Sequence, residues 1–446
     1  MDLTDLHLLS AADGARFIRE GVISSEQLVE ACLSRIRQID GKVQAWAFLD
    51  PDHALAQARA VDAWRLQGNT TGPLHGVPVG VKDIFDTADM PTENGSVLHA
   101  GRTPSHDATV VAMLRAAGAV ILGKTVTTEF AYFSPGKTRN PHNPEHTPGG
   151  SSSGSAAAVA AEMVPLAVGS QTNGSTIRPA AYCGVIGFKP THGLIPRHGI
   201  LALSRTLDHV GLFARTIEDI ALLAEQLVGY DERDPDTRPR ARLPFVQVSA
   251  EEPPLPPMFA FVKTPYWEQA DDDTKEGFAE IVEQLGEQVE EVELFPSAAE
   301  AWEWHRTIMT AQMAVNLARE FEQGRSRLSE SLRAQLERGR EVRAVDYQRA
   351  LARISPIHDS FVELFEQRYD AILTPAATGS APKGLGSTGD PSFCTLWTLC
   401  GMPAISLPLL QSEAGLPLGV QIVGPRHGDA RLLRTARWLA GRVAAG

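Results

Sequence analysis

The sequence is poor in cysteine, with 4 cysteines among 446 residues. None belongs to a Cys-X-X-Cys pair, and none clusters with histidine at the spacing of a zinc site. We therefore expect no disulfide framework, no metal and no cofactor. The four positions are Cys32, Cys183, Cys394 and Cys400.

An excess of positive charge is also lacking. Lysine and arginine number 41 against 54 aspartates and glutamates, which gives a net charge of −13. Because binding to nucleic acid depends on basic patches, nucleic acid is not expected as the main partner. Contact with tRNA through a local patch stays open.

Long apolar runs are absent. No stretch approaches the roughly 18 uninterrupted apolar residues that a membrane-spanning helix needs. The N-terminal residues include acidic side chains where a signal peptide has basic ones, and no apolar segment follows them. With 43% hydrophobic and 21% charged residues, the composition is typical of a globular chain. We expect a cytoplasmic protein without a membrane partner.

The first half of the chain contains two patterns. Residues 1–70 have apolar positions at helical spacing, broken at Gly21 and Gly41, which predicts two or three amphipathic helices. In residues 72–220, short apolar runs alternate with alanine-rich stretches and glycine-rich turns. That alternation is typical of an α/β fold.

The second half begins with a long interruption of this pattern. From about 231 to 370, a proline-rich exposed connection leads into helical segments that read as an insertion. Residues 371–446 return to buried strands and a closing amphipathic helix. Strand patterns flank the insertion without a long Gly/Ser linker, so we predict a single domain over residues 1–446.

The most informative stretch is 147–190. Two turns rich in serine and glycine, 149–155 and 169–175, bracket an alanine-rich helix. Such turns are typical of flexible linkers. Here residues 156–161 offer no charged face, so the helix and its first turn must be buried. A buried turn is a candidate for a functional role.

Three catalytic templates fit this sequence poorly. GSSSG at 150–154 matches the nucleophile elbow of α/β hydrolases, but no strand precedes it. GSQTNGS at 169–175 resembles a phosphate-binding loop, yet Ser175 stands where lysine is required. Two Ser-X-X-Lys matches lie in loops rather than on helices: Ser134 with Lys137, and Ser380 with Lys383.

Lys82 ends the apolar run VPVGV, so its side chain is expected to enter a low-dielectric interior. Desolvation there lowers the pKa of an ammonium group. A neutral lysine can act as general base toward a serine hydroxyl. The alternative is an exposed lysine at the end of a strand, paired with Asp83.

Four segments resemble the amidase signature family of Ser-Ser-Lys hydrolases. They are GVPVGVKD at 76–83, TPGGSSSGSAAA at 147–158, GSQTNGS at 169–175 and RPAAYCGVIGFKPT at 178–191. Residues 105–130, 401–408 and 415–425 also fit, whereas about 230–370 is uninformative. The resemblance implies an α/β fold with a large mixed central β-sheet covered by helices on both faces.

The resemblance also implies the roles of individual residues. Ser175 corresponds to the nucleophile, Ser151 to the bridging serine with an unusual cis peptide, and Lys82 to the general base. Backbone N–H groups are implied as an oxyanion hole: Thr172, Asn173, Gly174 and Ser175. Three further serines are interpreted as cap and turn residues of the alanine-rich helix: Ser152, Ser153 and Ser155. Gly174 would permit the tight turn.

Three positions depart from the family pattern. Gln171 replaces the usual acidic residue, Asn173 replaces the first glycine, and Arg178 is displaced by one position. The oxyanion hole uses backbone atoms, so Asn173 is tolerable if its backbone angles are ordinary. Whether Arg178 keeps a salt bridge stays open.

Aromatic and methionine side chains outside the motifs are candidates for the substrate pocket. In the helical insertion, Trp302, Trp304, Met309 and Met313 recur at helical spacing, although core packing is an alternative. The pocket candidates are Phe130, Tyr132, Phe133, Trp302, Met309 and Met313. Such a pocket would be apolar and without a charged anchor.

These observations predict an amidase that cleaves uncharged, hydrophobic or aryl amides through an acyl-enzyme, with esterase and carbamate (urethane) hydrolase activity. The expected partner is the small-molecule amide, ester or carbamate substrate, and a homodimer stays open. One alternative is the glutaminase-type subunit of a tRNA-dependent amidotransferase, which would need partner subunits. Another is a non-catalytic binding protein on the same scaffold.

Overall fold

The computed structural model describes residues 3–445 and arranges eleven strands of this range in one mixed sheet. The strands are β1 Trp46–Leu49, β2 Pro78–Lys82, β3 Val120–Thr125, β4 Leu166–Gln171, β5 Ile186–Lys189, β6 His209–Ala214, β7 Phe259–Phe261, β8 Val289–Glu291, β9 Ala371–Pro375, β10 Ala404–Gln411 and β11 Pro417–Val423. Their order is β1-β3-β2-β4-β6-β5-β10-β11-β9-β7-β8. The pairs β2/β3, β2/β4, β7/β8 and β7/β9 are parallel, and the other pairs are antiparallel.

Fifteen α-helices of the described range pack around this sheet. They are α1 Ala11–Glu20, α2 Ser25–Val43, α3 Pro51–Leu66, α4 Thr109–Ala116, α5 Ser153–Ala160, α6 Ile177–Cys183, α7 Ile217–Leu227, α8 Phe245–Ala250, α9 Asp272–Leu285, α10 Ala301–Asn316, α11 Ala318–Gly324, α12 Glu330–Glu341, α13 Ala344–Gln367, α14 Ser392–Leu399 and α15 Asp429–Ala444. In residues 3–445, none of the helices combines the length and the apolar character that crossing a bilayer demands.

Both faces of the sheet are buried, each in its own apolar cluster. Side chains of a strand alternate between the two faces. In β3, Val120 and Leu122 belong to the cluster that contains α2 and α5, whereas Ile121 belongs to the larger cluster that contains α7. In β4, Ala167 faces the first cluster and its neighbours face the second. The predicted fold class, a mixed sheet with helices on both faces, is confirmed.

The N-terminal segment forms three helices, as the apolar spacing predicts, but one boundary was wrong. Gly21 ends α1 in the left-handed conformation, with a φ of 74°. Gly41 breaks nothing, because α2 continues through it to Val43. The short strand β1 between α2 and α3 was not predicted; it pairs with β3 at one edge of the sheet.

The helical insertion forms α10 to α13 between two halves of the sheet. Strand β7, which precedes it, pairs with β9, which follows it. Strand β10 pairs with β5 of the first half. These pairings join both parts of the chain into one sheet. The division of residues 1–446 into a single domain stays a prediction.

The strands β2 and β4 position the candidate site. They are parallel neighbours, and their carboxyl ends lie at the same edge of the sheet. Lys82 is the last residue of β2, and Gln171 is the last residue of β4. Ligands of α/β proteins commonly bind beyond the carboxyl ends of strands.

Candidate active site

Lys82 is fully buried between two serine hydroxyls. Its Nζ lies 2.7 Å from Oγ of Ser151 and 2.8 Å from Oγ of Ser170. Desolvation holds the pKa of the Lys82 amine well below its usual value, and the carboxyl group of Asp208 opposes this shift. A buried amine with a lowered pKa can accept a proton from a neighbouring hydroxyl. The contact with Ser170 was not predicted.

Ser151 lies in the loop that precedes α5. The Gly150–Ser151 peptide is cis, as the family resemblance implies. The next residue, Ser152, donates a backbone hydrogen bond of 3.3 Å to the carbonyl oxygen of Ser175. The loop that carries Ser151 therefore runs beside the turn that carries Ser175.

The three serines after Ser151 do not cap α5, so their interpretation as cap residues was wrong. Ser152 is the N-cap residue, but its side chain accepts no hydrogen bond from the first turn of α5. The hydroxyls of Ser152, Ser153 and Ser155 instead donate to the backbone carbonyls of Ser170, Val126 and Val168, respectively. These hydrogen bonds join the start of the helix to β4 and to the residue after β3. A buried hydroxyl needs an acceptor, and here the backbone carbonyls of these neighbouring segments provide it.

Gln171 organises the turn that leads from β4 into α6. Its Oε1 accepts hydrogen bonds from the backbone N–H groups of Thr176, at 2.8 Å, and Ile177, at 3.0 Å. Its Nε2 donates to Oγ1 of Thr398 on α14, at 3.0 Å. The side chain therefore accepts from the start of α6, as a carboxylate would, and also donates, which a carboxylate cannot do.

Ser175 is half-buried at the end of this turn. Neither Asn173 nor Gly174 has a positive φ, so Asn173 is tolerated there. The prediction was that glycine at 174 permits a tight turn, but here glycine is required by a lack of space. A Cβ atom at this position would lie 2.9 Å from Cβ of Pro391, so glycine permits the close approach of α14.

Two carbonyl groups of the turn accept hydrogen bonds from distant helices. The Nε2 atom of His305 on α10 lies 2.9 Å from the carbonyl oxygen of Thr172. Oγ1 of Thr398 lies 2.6 Å from the carbonyl oxygen of Asn173. Within residues 3–445, the N–H groups of residues 172 to 175 donate to no acceptor. The turn thus presents free N–H groups while its carbonyl groups are held.

His305 and Thr398 were missed from the sequence, although one signal for His305 was available. Trp302, His305 and Met309 recur at intervals of three and four residues, so they lie on one face of α10. Two of these three residues were pocket candidates. No local motif marks Thr398, because its role depends on how α14 packs against the turn.

Arg178 has no ion-pair partner among the carboxylates of the described residues. Its guanidinium donates instead to the carbonyl oxygen of Gly150, at 2.7 Å, and to Oγ1 of Thr388, at 3.1 Å. Burial lowers the pKa of this group. Arg178 therefore contacts the peptide that precedes Ser151, and hydrogen bonds to neutral oxygens take the place of a salt bridge.

A cavity of about 900 Å³ opens beside Asn173. Four of the six pocket candidates line it: Tyr132, Phe133, Trp302 and Met309. Phe130 and Met313 are instead fully buried in the core, where their side chains fill space against other apolar groups. Trp304 packs against the core beside the guanidinium of Arg353.

The wall of this cavity includes charged residues, which the expected apolar pocket would lack. Five charged residues contribute to the cavity wall: Glu300, Glu303, Arg306, Arg338 and Asp390. Aromatic residues lie on the same wall, where Tyr266 packs against Trp302 with ring centroids 5.1 Å apart. Three of the five charged residues lie on α10 or at its N-cap, and the other two belong to α12 and to the segment before α14, whose position the sequence did not indicate.

The chain is similar to known proteins along almost its whole length. The family model described as Amidase matches residues 27–433. Among curated proteins, a glutamyl-tRNA(Gln) amidotransferase subunit from Symbiobacterium thermophilum is 36% identical over 472 residues, and the match covers 96% of each chain.

Solved structures also share the whole fold. A chain from a vestigial protein complex, which reveals the evolutionary origins of an s-triazine catabolic enzyme, is 28% identical with a TM-score of 0.90, and the match covers 98% of both chains. The peptide amidase from Stenotrophomonas maltophilia is 29% identical with a TM-score of 0.83; the match covers 98% of this chain and 97% of that one.

Proposed function

This chain belongs to the amidase family, and from that premise we propose that it hydrolyses an amide C–N bond through an acyl ester of Ser175. The observation that carries the proposal is the contact between Lys82 and Ser151. A fully buried amine lies 2.7 Å from a hydroxyl whose loop adjoins Ser175. Burial favours the neutral form of this amine, which is the form that acts as a base.

The proposed proton route begins at the Ser175 hydroxyl and ends at Lys82. Ser175 attacks the amide carbonyl carbon and passes its hydroxyl proton to Ser151, which passes its own proton to Lys82. Lys82 then returns a proton to Ser151, and Ser151 passes its own proton to the nitrogen of the leaving amine as the C–N bond breaks. Water then attacks the acyl ester with the help of the same base, releasing the acid and restoring the Ser175 hydroxyl.

The free N–H groups of Thr172, Asn173, Gly174 and Ser175 are suited to bind the oxygen that becomes negative when Ser175 attacks. Donors that are already oriented stabilise the tetrahedral intermediate without reorganisation. Esters and carbamates pass through an equivalent intermediate, so both are proposed as further substrates. An ester also has a better leaving group than an amide.

The cavity beside Asn173 favours amides with an aryl or alkyl portion. Tyr132, Phe133, Tyr266 and Trp302 provide aromatic surface for that portion. The charged residues of the same wall can contact a polar part of the substrate. We therefore propose aryl and alkyl amides as the preferred class, and polar substituents are compatible with it.

The comparisons favour a second candidate function, the glutaminase-type subunit of an amidotransferase. The curated relative from Symbiobacterium thermophilum bears an amidotransferase description and matches along almost its entire length. In this case the substrate is glutamine, and the chain works with partner subunits. The charged cavity wall is compatible with an amino acid as substrate.

A substrate panel separates the two candidates. The purified chain is assayed alone with p-nitroacetanilide, benzamide, phenyl acetate, a phenyl carbamate and glutamine, and kcat/KM is compared. Wild-type chain and Ser175→Ala are also treated with a fluorophosphonate probe, and the labelled peptide is identified by mass spectrometry. We expect aryl substrates to exceed glutamine and the label to lie on Ser175.

Glutamine at the top of the ranking would favour the amidotransferase function over the proposed amidase. The same conclusion would follow if activity required added partner subunits. A label outside residues 169–175, or activity that survives in Ser175→Ala, would contradict the acyl-enzyme mechanism itself.

A further inference from the structure

We infer that His305 and Thr398 are positioning residues that set the direction of the oxyanion-hole N–H groups from two separate helices. The inference rests on the proposed function, since it concerns the turn that precedes Ser175. Neither residue belongs to the segments that resemble the family motifs, and they contact the turn from 133 and 225 positions away in the chain.

The geometry of the peptide bond links each carbonyl to the next N–H group. A trans peptide is planar, and its C=O and N–H groups point in opposite directions. A side chain that holds the carbonyl oxygen of Thr172 therefore fixes the N–H direction of Asn173. In the same way, a side chain that holds the carbonyl oxygen of Asn173 fixes the N–H direction of Gly174.

His305 holds the first of these peptides. A carbonyl oxygen can only accept, so the contact of 2.9 Å requires the proton on Nε2 of the imidazole. Burial lowers the pKa of His305 to about 4, so the ring is neutral near pH 7. His305 also lines the cavity beside Asn173, which places it between the cavity and the turn.

Thr398 holds the second peptide through a directional chain of hydrogen bonds. Nε2 of Gln171 donates to Oγ1 of Thr398, and the Thr398 hydroxyl proton has two acceptors within reach: the carbonyl oxygen of Asn173 at 2.6 Å and that of Cys394, one turn back on α14, at 3.0 Å. The shorter contact is the one to Asn173. The other end of the Gln171 amide accepts from the start of α6. An ionised acidic residue at 171 could not donate to Thr398, so the glutamine and the threonine act together.

A third contact restrains the side chain of the same turn. Oγ1 of Thr395, one helical turn before Thr398, donates to Oδ1 of Asn173 at 2.7 Å. Two residues of α14 therefore hold the side chain and the carbonyl of Asn173. Because preorganised donors reduce the cost of reorganisation in the transition state, these contacts should affect the chemical step more than substrate binding.

The test uses the inactivation kinetics of a fluorophosphonate, which needs no knowledge of the natural substrate. In this reaction Ser175 Oγ forms a bond to phosphorus, fluoride leaves, and the serine proton passes to the base. The phosphoryl oxygen becomes more negative as the bond forms. Both the maximal inactivation rate and the half-saturating concentration of the probe are measured for each variant of the full-length chain.

The variants remove or preserve one donor at a time. Thr398→Val removes the hydroxyl with little change of volume, and Thr398→Ser restores it. His305→Phe removes the N–H donor, and His305→Gln restores one. Thr374→Val is the matched control, because Thr374 is a buried threonine whose hydroxyl donates to the carbonyl of Val262, far from the turn in the sheet.

We expect Thr398→Val and His305→Phe to lower the maximal inactivation rate about 10- to 100-fold, with the half-saturating concentration nearly unchanged. Thr398→Ser and His305→Gln should recover most of the rate, and Thr374→Val should match the wild type. Folding of each variant is checked by circular dichroism. If His305→Phe does not fold, the inference is tested by comparing Thr398→Val, Thr398→Ser and Thr374→Val.

Three results would overturn the inference. The first is a maximal inactivation rate of Thr398→Val equal to that of the wild type. The second is a change in the half-saturating concentration of the probe with no change in the maximal rate. The third is an equal loss of maximal rate in Thr398→Val and Thr374→Val. In each case labelling of Ser175 in the wild type would leave the proposed function intact. A wild-type chain that is not labelled on Ser175 would overturn both.

Discussion

The Nζ atom of Lys82 lies 2.8 Å from the hydroxyl oxygen of Ser170, on the strand next to its own. A neutral amine has two protons and one lone pair. If one N–H donates to Ser170, the lone pair is free to face Ser151, on the other side of the amine. Ser170 thus orients the lone pair of Lys82 toward the Ser151 hydroxyl, which Lys82 is proposed to deprotonate.

The first prediction concerns the pH dependence of catalysis. The proposed base works as the neutral amine, so kcat/KM should rise with pH through the pKa of Lys82, which burial holds well below 10.5. In Ser170→Ala the ammonium form loses an acceptor, so this pKa falls further and the rising limb moves to lower pH.

The rate at the plateau of Ser170→Ala should fall about 10-fold, because the amine loses its orientation. The control is Ser406→Ala, which removes a buried hydroxyl on strand β10 of the same sheet. Among the described residues this hydroxyl has no hydrogen-bond partner. A rising limb that moves to higher pH in Ser170→Ala would contradict the role of Ser170.

The second prediction tests the nucleophile. Ser175→Ala should lower kcat by about four orders of magnitude or more, because no other hydroxyl is expected to reach the substrate carbonyl. Its thermal unfolding should resemble that of the wild type, since Ser175 is only half-buried. Ser153→Ala serves as control, because the Ser153 hydroxyl donates to the backbone of Val126. Residual activity of a few per cent in Ser175→Ala would be incompatible with the mechanism.

The third prediction concerns stability. The pKa of Lys82 is lower in the folded chain than in the unfolded chain, so between these two values unfolding takes up a proton. The free energy of unfolding therefore rises with pH in this interval. Lys82→Met has no such group, so it should be inactive and more stable than the wild type at low pH.

Thermal unfolding of the wild type and Lys82→Met from about pH 6 to about pH 9 measures this difference. The melting temperatures should approach each other as the pH rises. Other buried lysines, such as Lys189 with its pKa of about 7, contribute equally to both proteins and cancel in the comparison. A difference that stays constant or grows with pH would show that the pKa of Lys82 is not lowered.

The fourth prediction tests the aromatic wall of the cavity. Trp302→Ala should raise KM for p-nitroacetanilide about 10-fold with a smaller effect on kcat, because aromatic surface contributes mainly to binding. Trp304→Ala provides a matched control on the same helix, since Trp304 also packs against the core but does not belong to the cavity wall. Equal changes of KM in both variants would mean that the effect comes from α10 as a whole.

Local patterns in the sequence were sufficient for the α/β class, and the family resemblance implied the mixed central sheet with helices on both faces. Apolar runs that end in glycine-rich turns predict buried strands, and the uncharged alanine helix predicts burial of α5. The apolar run before Lys82 likewise predicts a buried amine, and the structure has that side chain fully buried. Gly41 shows where this reasoning fails, since α2 tolerates a glycine that faces open space.

Tertiary structure alone decided which side chains meet at the end of β4. The contact of His305 with Thr172 and that of Thr398 with Asn173 depend on how α10 and α14 pack against the turn. The same packing brings charged residues of α10 and α12 to the cavity wall. Hydrophobic periodicity predicts which face of a helix is buried, but not which distant group that face contacts, because many partners satisfy the same burial. The sequence therefore determined the elements and their buried faces, and the packing of the helices decided the hydrogen bonds of the candidate site.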